Sequence, residues 1–135
     1  MNYFAVCNNI SAILAARVTA LRSVTAEQAA TQKSAPAGAT AVVCFAGEQV
    51  LEVISEDAYS AEQTYAVVLM CRGATASDRD DGALMHGIIR ALNGSRPLPE
   101  ERGFLGYSGC DSDFEDNARY YTLTFKIKRV QTIFN

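Results

Sequence analysis

Two stretches of the chain decide its fold: residues 64–72, Thr-Tyr-Ala-Val-Val-Leu-Met-Cys-Arg, and residues 120–130, Tyr-Tyr-Thr-Leu-Thr-Phe-Lys-Ile-Lys-Arg-Val. The first is apolar at nearly every position, which predicts a strand covered on both faces. The second alternates and predicts a closing strand over residues 118–130. Its apolar face carries Tyr121, Leu123, Phe125 and Ile127. The chain therefore contains a sheet with at least one strand in its middle.

Two helices are predicted on either side of the first stretch. Apolar residues recur mostly at steps of three and four between Tyr3 and Leu21, which predicts a helix over residues 3–22. A second helix is predicted to begin at Ser77-Asp78 and to end at Asn93-Gly94, which supplies a left-handed C-cap. Its apolar residues are Leu84, Met85, Ile88, Ile89 and Leu92.

The remaining segments complete the expected sheet. Residues 39–46 and 49–55 are predicted strands joined by a tight turn at Gly47-Glu48, with Val50 and Val53 on opposite faces of the second. With residues 64–72 they form an expected antiparallel meander, and residues 23–38 and 56–63 are expected to be connections. Residues 95–118 are also a predicted loop, with a short strand at 104–107. We therefore expect one α+β domain over residues 1–135, a mostly antiparallel sheet of four to five strands with two helices packed on one face.

Composition narrows the possible partners. The chain has 135 residues, 49% of them hydrophobic, and a formal net charge of −3. The acidic balance argues against binding nucleic acid or an anionic membrane through bulk electrostatics, and no apolar run reaches the ~20 residues needed to span a bilayer. The apolar residues 10–16 lack a preceding basic residue and are followed by Arg17, the reverse of the charge order in a signal peptide. We expect the chain to be cytosolic when it is made.

The residue types that usually carry chemistry are sparse. Four cysteines stand 37, 27 and 39 residues apart and His86 is the only histidine, which is not a zinc pattern and favours reduced, structural cysteines. The cysteines are Cys7, Cys44, Cys71 and Cys110. On a largely apolar helix, His86 is more often a packing residue than a base. The glycine-rich residues 103–109 lack the Lys-Ser/Thr of a phosphate loop.

Two carboxylate clusters and one basic strand edge remain. The spacing of Asp111, Asp113 and Glu115 resembles the start of a calcium loop, but Asp116 and Thr122 stand where such a loop needs glycine and glutamate. A solvated acidic loop is the better interpretation. We predict no catalytic residue, no metal site and no cofactor. A basic edge on the last strand either protects that edge from strand pairing or offers a salt-bridge surface to an acidic neighbour. It consists of Lys126, Lys128 and Arg129.

The order of elements resembles the small tail-terminator or tail-completion proteins of long-tailed bacteriophages and of related phage-tail-like particles. The residues that carry the resemblance are 41–45, 63–70, 81–92 and 119–125. It is a pattern of elements over most of the chain, without a signature motif. The resemblance implies a non-enzymatic structural subunit that forms a ring, usually of six copies, on the end of the tail tube. Such a ring ends tube growth and forms the head-joining surface.

The resemblance also implies partners and locations. They are further copies of the chain, the tail tube protein and a head-completion or connector protein, with DNA only as passing cargo and no membrane. The protein would be in the host cytoplasm during assembly and then in the virion tail. Two alternatives stay open: a neighbouring head–tail connector protein, or a module that binds a small ligand or a peptide.

Two groups of residues are candidates for assembly. Large apolar residues in otherwise polar segments are the candidate subunit interface: Tyr59, Phe104, Leu105, Tyr107 and Phe114. Acidic residues are the candidates to line or rim the ring channel: Asp78, Asp80, Asp81, Asp111, Asp113, Glu115 and Asp116.

Overall fold

The computed structural model describes residues 3–21, 23–26, 38–72, 81–99, 101, 103–115 and 117–132. Two helices and five strands are present in this part of the chain. In chain order they are α1 (Tyr3–Arg17), β1 (Ser23–Ala26), β2 (Gly38–Ser55), β3 (Ala58–Arg72), α2 (Asp81–Leu92), β4 (Gly106–Glu115) and β5 (Ala118–Thr132). No helix among these residues is long and apolar enough to cross a membrane.

The five strands form one sheet in the order β1-β2-β3-β5-β4. The pairs β2–β3, β3–β5 and β4–β5 are antiparallel, whereas β1 runs parallel to β2. The predicted α+β class and the mostly antiparallel sheet are confirmed. The central position of β3, between two long strands, explains why its sequence is apolar on both faces.

Two parts of the N-terminal prediction were wrong. The helix ends at Arg17 instead of residue 22, although Val18 and Leu21 are still buried. Residues 23–26 form β1 beside residues 40–43 of β2, where the sequence predicted only a loop. A strand of four residues with one large side chain, Val24, is too short to show the alternation of apolar and polar residues that identifies a strand. Residues 27–37 lie outside the described residues.

The predicted turn at Gly47-Glu48 is a β-bulge. β2 runs without a break from Gly38 to Ser55 and pairs with β3 along its length, and its register shifts between Phe45 and Gly47. Gly47 has φ 151°, a conformation that favours glycine and is common at bulges. The reversal occurs at residues 56–57, inside the segment predicted to be a connection. The expected meander is therefore one long hairpin.

The core lies against the face of the sheet that carries the odd-numbered residues of β3 and β5, here called the helix face. Val6, Ile10 and Leu14 of α1 join one buried cluster with Ile88 and Leu92 of α2. The strands contribute Ala41, Val43, Tyr65, Val67, Leu69, Cys71, Leu123, Phe125 and Ile127 to the same cluster. The alternation predicted for the closing strand is confirmed by these burials. The opposite side of the sheet is called the second face.

Helix α2 ends as its sequence predicts. Gly94 adopts φ 81°, and the amide of Asn93 donates to the carbonyl of Ile89 at 2.8 Å. The amide of Gly94 donates to the carbonyl of Leu105 at 2.7 Å, which ties the helix end to the segment before β4. The helix is described from Asp81, so the predicted start at residues 77–78 lies outside the described residues.

The acidic segment 111–116 was predicted to be a loop, and for residues 111–115 this was wrong. Residues 106–115 form β4, an edge strand paired with β5, and the short strand predicted at 104–107 begins only at Gly106. The reversal into β5 includes Asn117, which has φ 61°. Asparagine tolerates this left-handed conformation better than most residues, so a tight hairpin turn forms here without glycine.

Candidate assembly surfaces

The distal part of the β2–β3 hairpin, residues 48–62, lies at the polar end of the core and is here called the arm; its β3 half is still paired with β5. Four aliphatic residues of this arm are about half exposed or more: Val50 at 53%, Leu51 at 48%, Val53 at 73% and Ile54 at 54%. Each alone would be unremarkable, but four within five residues form a contiguous apolar surface of the kind that marks an interface.

A second bulge changes which residues of the arm share a face. Val50 pairs with Ala61 and Val53 pairs with Tyr59, and a register shift lies between Val50 and Glu52. Because Tyr59 and Ala61 are two residues apart on β3, their partners lie on one face of the hairpin. Val50 and Val53 were predicted on opposite faces, and this was wrong. The bulge therefore concentrates apolar side chains on one side of the arm.

A hydrogen-bonded network closes the polar end of the core where the arm begins. The carboxylate of Glu48 accepts from Gln63 Nε2 and from the Tyr59 hydroxyl, both at 3.1 Å. Gln63 Oε1 in turn accepts from the Tyr65 hydroxyl at 2.8 Å and from Arg129 Nη1 at 3.2 Å. Three strands are thus connected through side chains, which holds the base of the arm in one orientation.

Arg129 connects this hydrogen-bonded network to the loop before β4. Its guanidinium donates to both carboxylate oxygens of Glu101, Nε at 2.8 Å and Nη2 at 2.9 Å. Burial alone would lower the pKa of Arg129, but the hydrogen bonds and charge of Glu101 outweigh it and raise the pKa above its ordinary value. Burial also raises the pKa of Tyr65, an effect that nearby Arg129 partly offsets. Arg129 is therefore a fixed cation.

A shallow depression lies beside the base of the arm. Phe104, Tyr107, Lys126 and Lys128 line it together with Glu62. Phe104 is 62% exposed, and Lys126 forms an ion pair with Glu62 at 3.6 Å.

A neighbouring depression shares Lys128 and adds the exposed Val130. We call Phe104, Lys126, Lys128 and Val130 the basic-apolar patch. It combines two exposed apolar side chains with two lysines.

The candidate interface residues fall at three separate places. Phe104 and Tyr107 line the depression, and the Tyr107 ring also packs on Phe125 with centroids 5.5 Å apart. Phe114 lies near the other end of β4, where the Arg119 guanidinium is 5.9 Å from its ring centroid. Tyr59 belongs to the arm.

Leu105 differs from the other four candidates. It is fully buried in the core cluster of the subunit, so it has no free surface to offer a second copy. Its neighbour Phe104 points to solvent because successive side chains of an extended segment alternate in direction.

The acidic candidates are divided between two sides of the sheet. Asp111, Asp113 and Glu115 pair with Thr122, Tyr120 and Ala118, the even-numbered positions of β5, and so lie together on the second face. Asp81, at the start of α2, instead accepts a hydrogen bond at 2.7 Å from the hydroxyl of Tyr121, on the helix face. Asp78, Asp80 and Asp116 lie outside the described residues.

The remaining sequence candidates show no site. His86 is exposed on α2. Cys7 and Cys71 are buried, Cys44 is partly buried, and Cys110 is exposed on β4. In the described part of the chain no three His, Cys, Asp or Glu residues are grouped so that they could hold a metal ion.

The arm was not predicted from the sequence. Its signal was present in residues 50–54, Val-Leu-Glu-Val-Ile, which are apolar at four of five positions within an acidic stretch. This pattern was interpreted as an ordinary strand, because only the tertiary structure shows that these side chains stay exposed.

Comparisons with known proteins give a fold relationship. No protein-family model and no curated protein matches the chain. Among solved structures it is similar to a chain of the "Virion of native gene transfer agent (GTA) particle", with a TM-score of 0.51 and 14% sequence identity. The match covers 90% of this chain and 84% of that chain. The two chains share a fold over nearly their whole length.

Proposed function

We propose that this protein is a structural subunit of a phage-like particle, a homo-oligomeric ring that caps the tail tube, ends its growth and forms the head-joining surface. The observation that carries the proposal is the fold shared, over 90% of the chain, with a component of a gene transfer agent virion. A component of a particle has to bind other subunits, which supports a structural role.

The exposed surfaces of the subunit support the same role. The arm presents Val50, Leu51, Val53 and Ile54, and the side of the sheet presents Phe104, and each of these side chains is about half exposed or more. A lone domain leaves these groups in water, whereas an assembled ring covers them. The partners proposed from this role are the tail tube protein and a head-completion or connector protein.

Electron microscopy of the purified protein in negative stain tests the proposal. The expected image is a closed ring with a central opening, and added tail tubes should carry such a ring at one end. A field of small particles with no ring, together with bare tube ends, would rule out the capping role. A connector protein would form a ring but would bind the head side in place of the tube.

The alternative function, a module for a peptide or small ligand, has one observation in its favour, the depression lined by Phe104, Lys126 and Lys128. A monomer that binds an acidic peptide at this depression, and that never forms rings, would establish it.

A further inference from the structure

We propose that the arm of one subunit docks on the basic-apolar patch of a second copy of this chain. The inference rests on the proposed function, since it names the contact that would build the ring. It also favours one of the two interpretations of the basic edge formed by Lys126, Lys128 and Arg129, namely a salt-bridge surface for an acidic neighbour.

The arm supplies an apolar surface, and every charged side chain of the arm itself is acidic. Glu56 and Asp57 are exposed at its tip, and Glu52, which pairs with Ser60, is exposed on the face opposite Val50 and Val53. No lysine or arginine lies anywhere between residues 34 and 71, so no basic group of the arm offsets these carboxylates. An apolar surface bounded by like charges selects against a second arm as its partner, because two arms would bring carboxylates together.

The basic-apolar patch has the complementary composition. Phe104 and Val130 are both more than 60% exposed, and Lys126 and Lys128 flank them. Glu62 neutralises part of the charge of Lys126, whereas Lys128 has no carboxylate partner among the residues that the structure describes. Aliphatic side chains of the arm would pack on Phe104 and Val130, while its carboxylates approach the two lysines.

The exposed aliphatic residues of the arm lie on β2, whereas Lys126, Lys128 and Val130 lie on β5, on the other side of β3. The two are therefore different surfaces of the same subunit, and this decides the symmetry of the contact. A contact between two unlike surfaces is head-to-tail, and such contacts close into rings when the rotation between copies allows it. A two-fold contact would instead pair a surface with itself. The arm–patch contact is therefore the type that a ring requires.

Charge reversal on each surface tests the contact through the mass of the protein in solution. One variant carries Glu56→Lys and Asp57→Lys at the tip of the arm, and the other carries Lys126→Glu and Lys128→Glu in the patch. Each should raise the dissociation constant of the oligomer by roughly tenfold or more, because like charges then face each other across the contact. The control, Asp113→Lys with Glu115→Lys at the far end of β4, makes the same charge change as the arm variant and should leave the mass unchanged.

Mixing the two charge-reversed proteins gives the decisive result. The reversed arm then meets the reversed patch, and the native patch meets the native arm, so an equal mixture should regain the oligomer that each variant lost. This recovery also shows that both variants are folded. Failure to recover on mixing would overturn the arm–patch contact.

Two further outcomes separate this inference from the proposed function. An unchanged oligomer in both variants would overturn the contact and leave the ring intact. A wild-type protein that is monomeric at every concentration, with no rings in micrographs, would overturn both.

Discussion

Arg129 of β5 donates two parallel hydrogen bonds to the carboxylate of Glu101 in the loop before β4, from Nε at 2.8 Å and from Nη2 at 2.9 Å. The Arg129 side chain is only 9% exposed, whereas that of Glu101 is 34% exposed. Arg129 also bonds Gln63 on β3, so this one cation joins the sheet, the base of the arm and the loop that leads to Phe104. Arg129 and Glu101 both line the depression that contains Lys128 and Val130 of the basic-apolar patch.

Replacing Glu101 by glutamine should therefore destabilise the fold. The change leaves a nearly buried guanidinium without its charged acceptor, and hydrogen bonds to charged groups contribute about 1.5–3 kcal/mol. The free energy of unfolding in urea measures the loss. The matched control is Glu62→Gln, which breaks the longer and more exposed pair with Lys126 and should cost less than about 1 kcal/mol. Equal losses in both variants would contradict this role for Arg129.

A second prediction concerns the close approach of the loop to β5. A Cβ atom added at Gly103 would lie 2.7 Å from the backbone carbonyl oxygen of Lys128, whereas one added at Gly106 would lie 3.9 Å from that of Lys126. Gly103→Ala should cost about 1–3 kcal/mol, because a backbone atom cannot move aside easily. Gly106→Ala should be neutral or slightly stabilising. Thermal unfolding of the two variants checks this, and a neutral Gly103→Ala would mean that the loop is not held against the strand.

A third prediction follows from the raised pKa of Tyr65. Burial, the main cause, favours its neutral form, so the folded protein keeps this proton at a pH where the unfolded chain loses it. The stabilisation is complete below the ordinary tyrosine pKa of 10.0 and declines as the pH rises above it. One such group contributes a slope of up to about 1.4 kcal/mol per pH unit. Above pH 10 the free energy of unfolding should therefore decrease less steeply with pH in Tyr65→Phe than in the wild type, by up to this slope. Urea unfolding at a series of pH values measures both slopes, and identical slopes would contradict the prediction.

A fourth prediction concerns DNA. The chain carries a net charge of −3, and Asp111, Asp113 and Glu115 form an acidic strip on the second face. A channel that DNA slides through benefits from acidic or neutral walls, because basic walls would bind phosphates through counterion release. The isolated protein should show no measurable affinity for duplex DNA at about 0.15 M salt in a fluorescence anisotropy titration. Salt-sensitive binding would overturn the acidic-channel hypothesis and favour a nucleic-acid-binding role.

Local patterns in the sequence predicted the parts of the fold that local interactions determine. The alternation from Tyr121 to Ile127 identified β5 and its buried face, and Asn93-Gly94 identified the end of α2. The length of the hairpin could not be predicted in this way. Gly47 is equally compatible with a turn and with a bulge. Only the pairing of β2 with residues of β3 that are distant in sequence shows that it is a bulge.

The candidate surfaces were predictable to a similar extent. Phe104 and Phe114 were expected to be exposed because polar residues surround them, and both are. The burial of Leu105 and the exposure of residues 50–54 depend on where the helices lie on the sheet, which no local pattern reports. The acidic strip was predicted to be a loop because its residues are mostly polar and charged. Its carboxylates nevertheless stand at every second position, as in a strand with one acidic face.

The mass of the protein in solution tests the central claim most directly. Sedimentation velocity over a range of concentrations should show a discrete oligomer, which for the expected ring of six is six times the 14.6 kDa subunit, or about 88 kDa. Phe104→Asp should weaken this oligomer while leaving the fold intact, because Phe104 is exposed and contributes little to the core. A single species of 14.6 kDa at every concentration, unchanged by the substitution, would contradict the account.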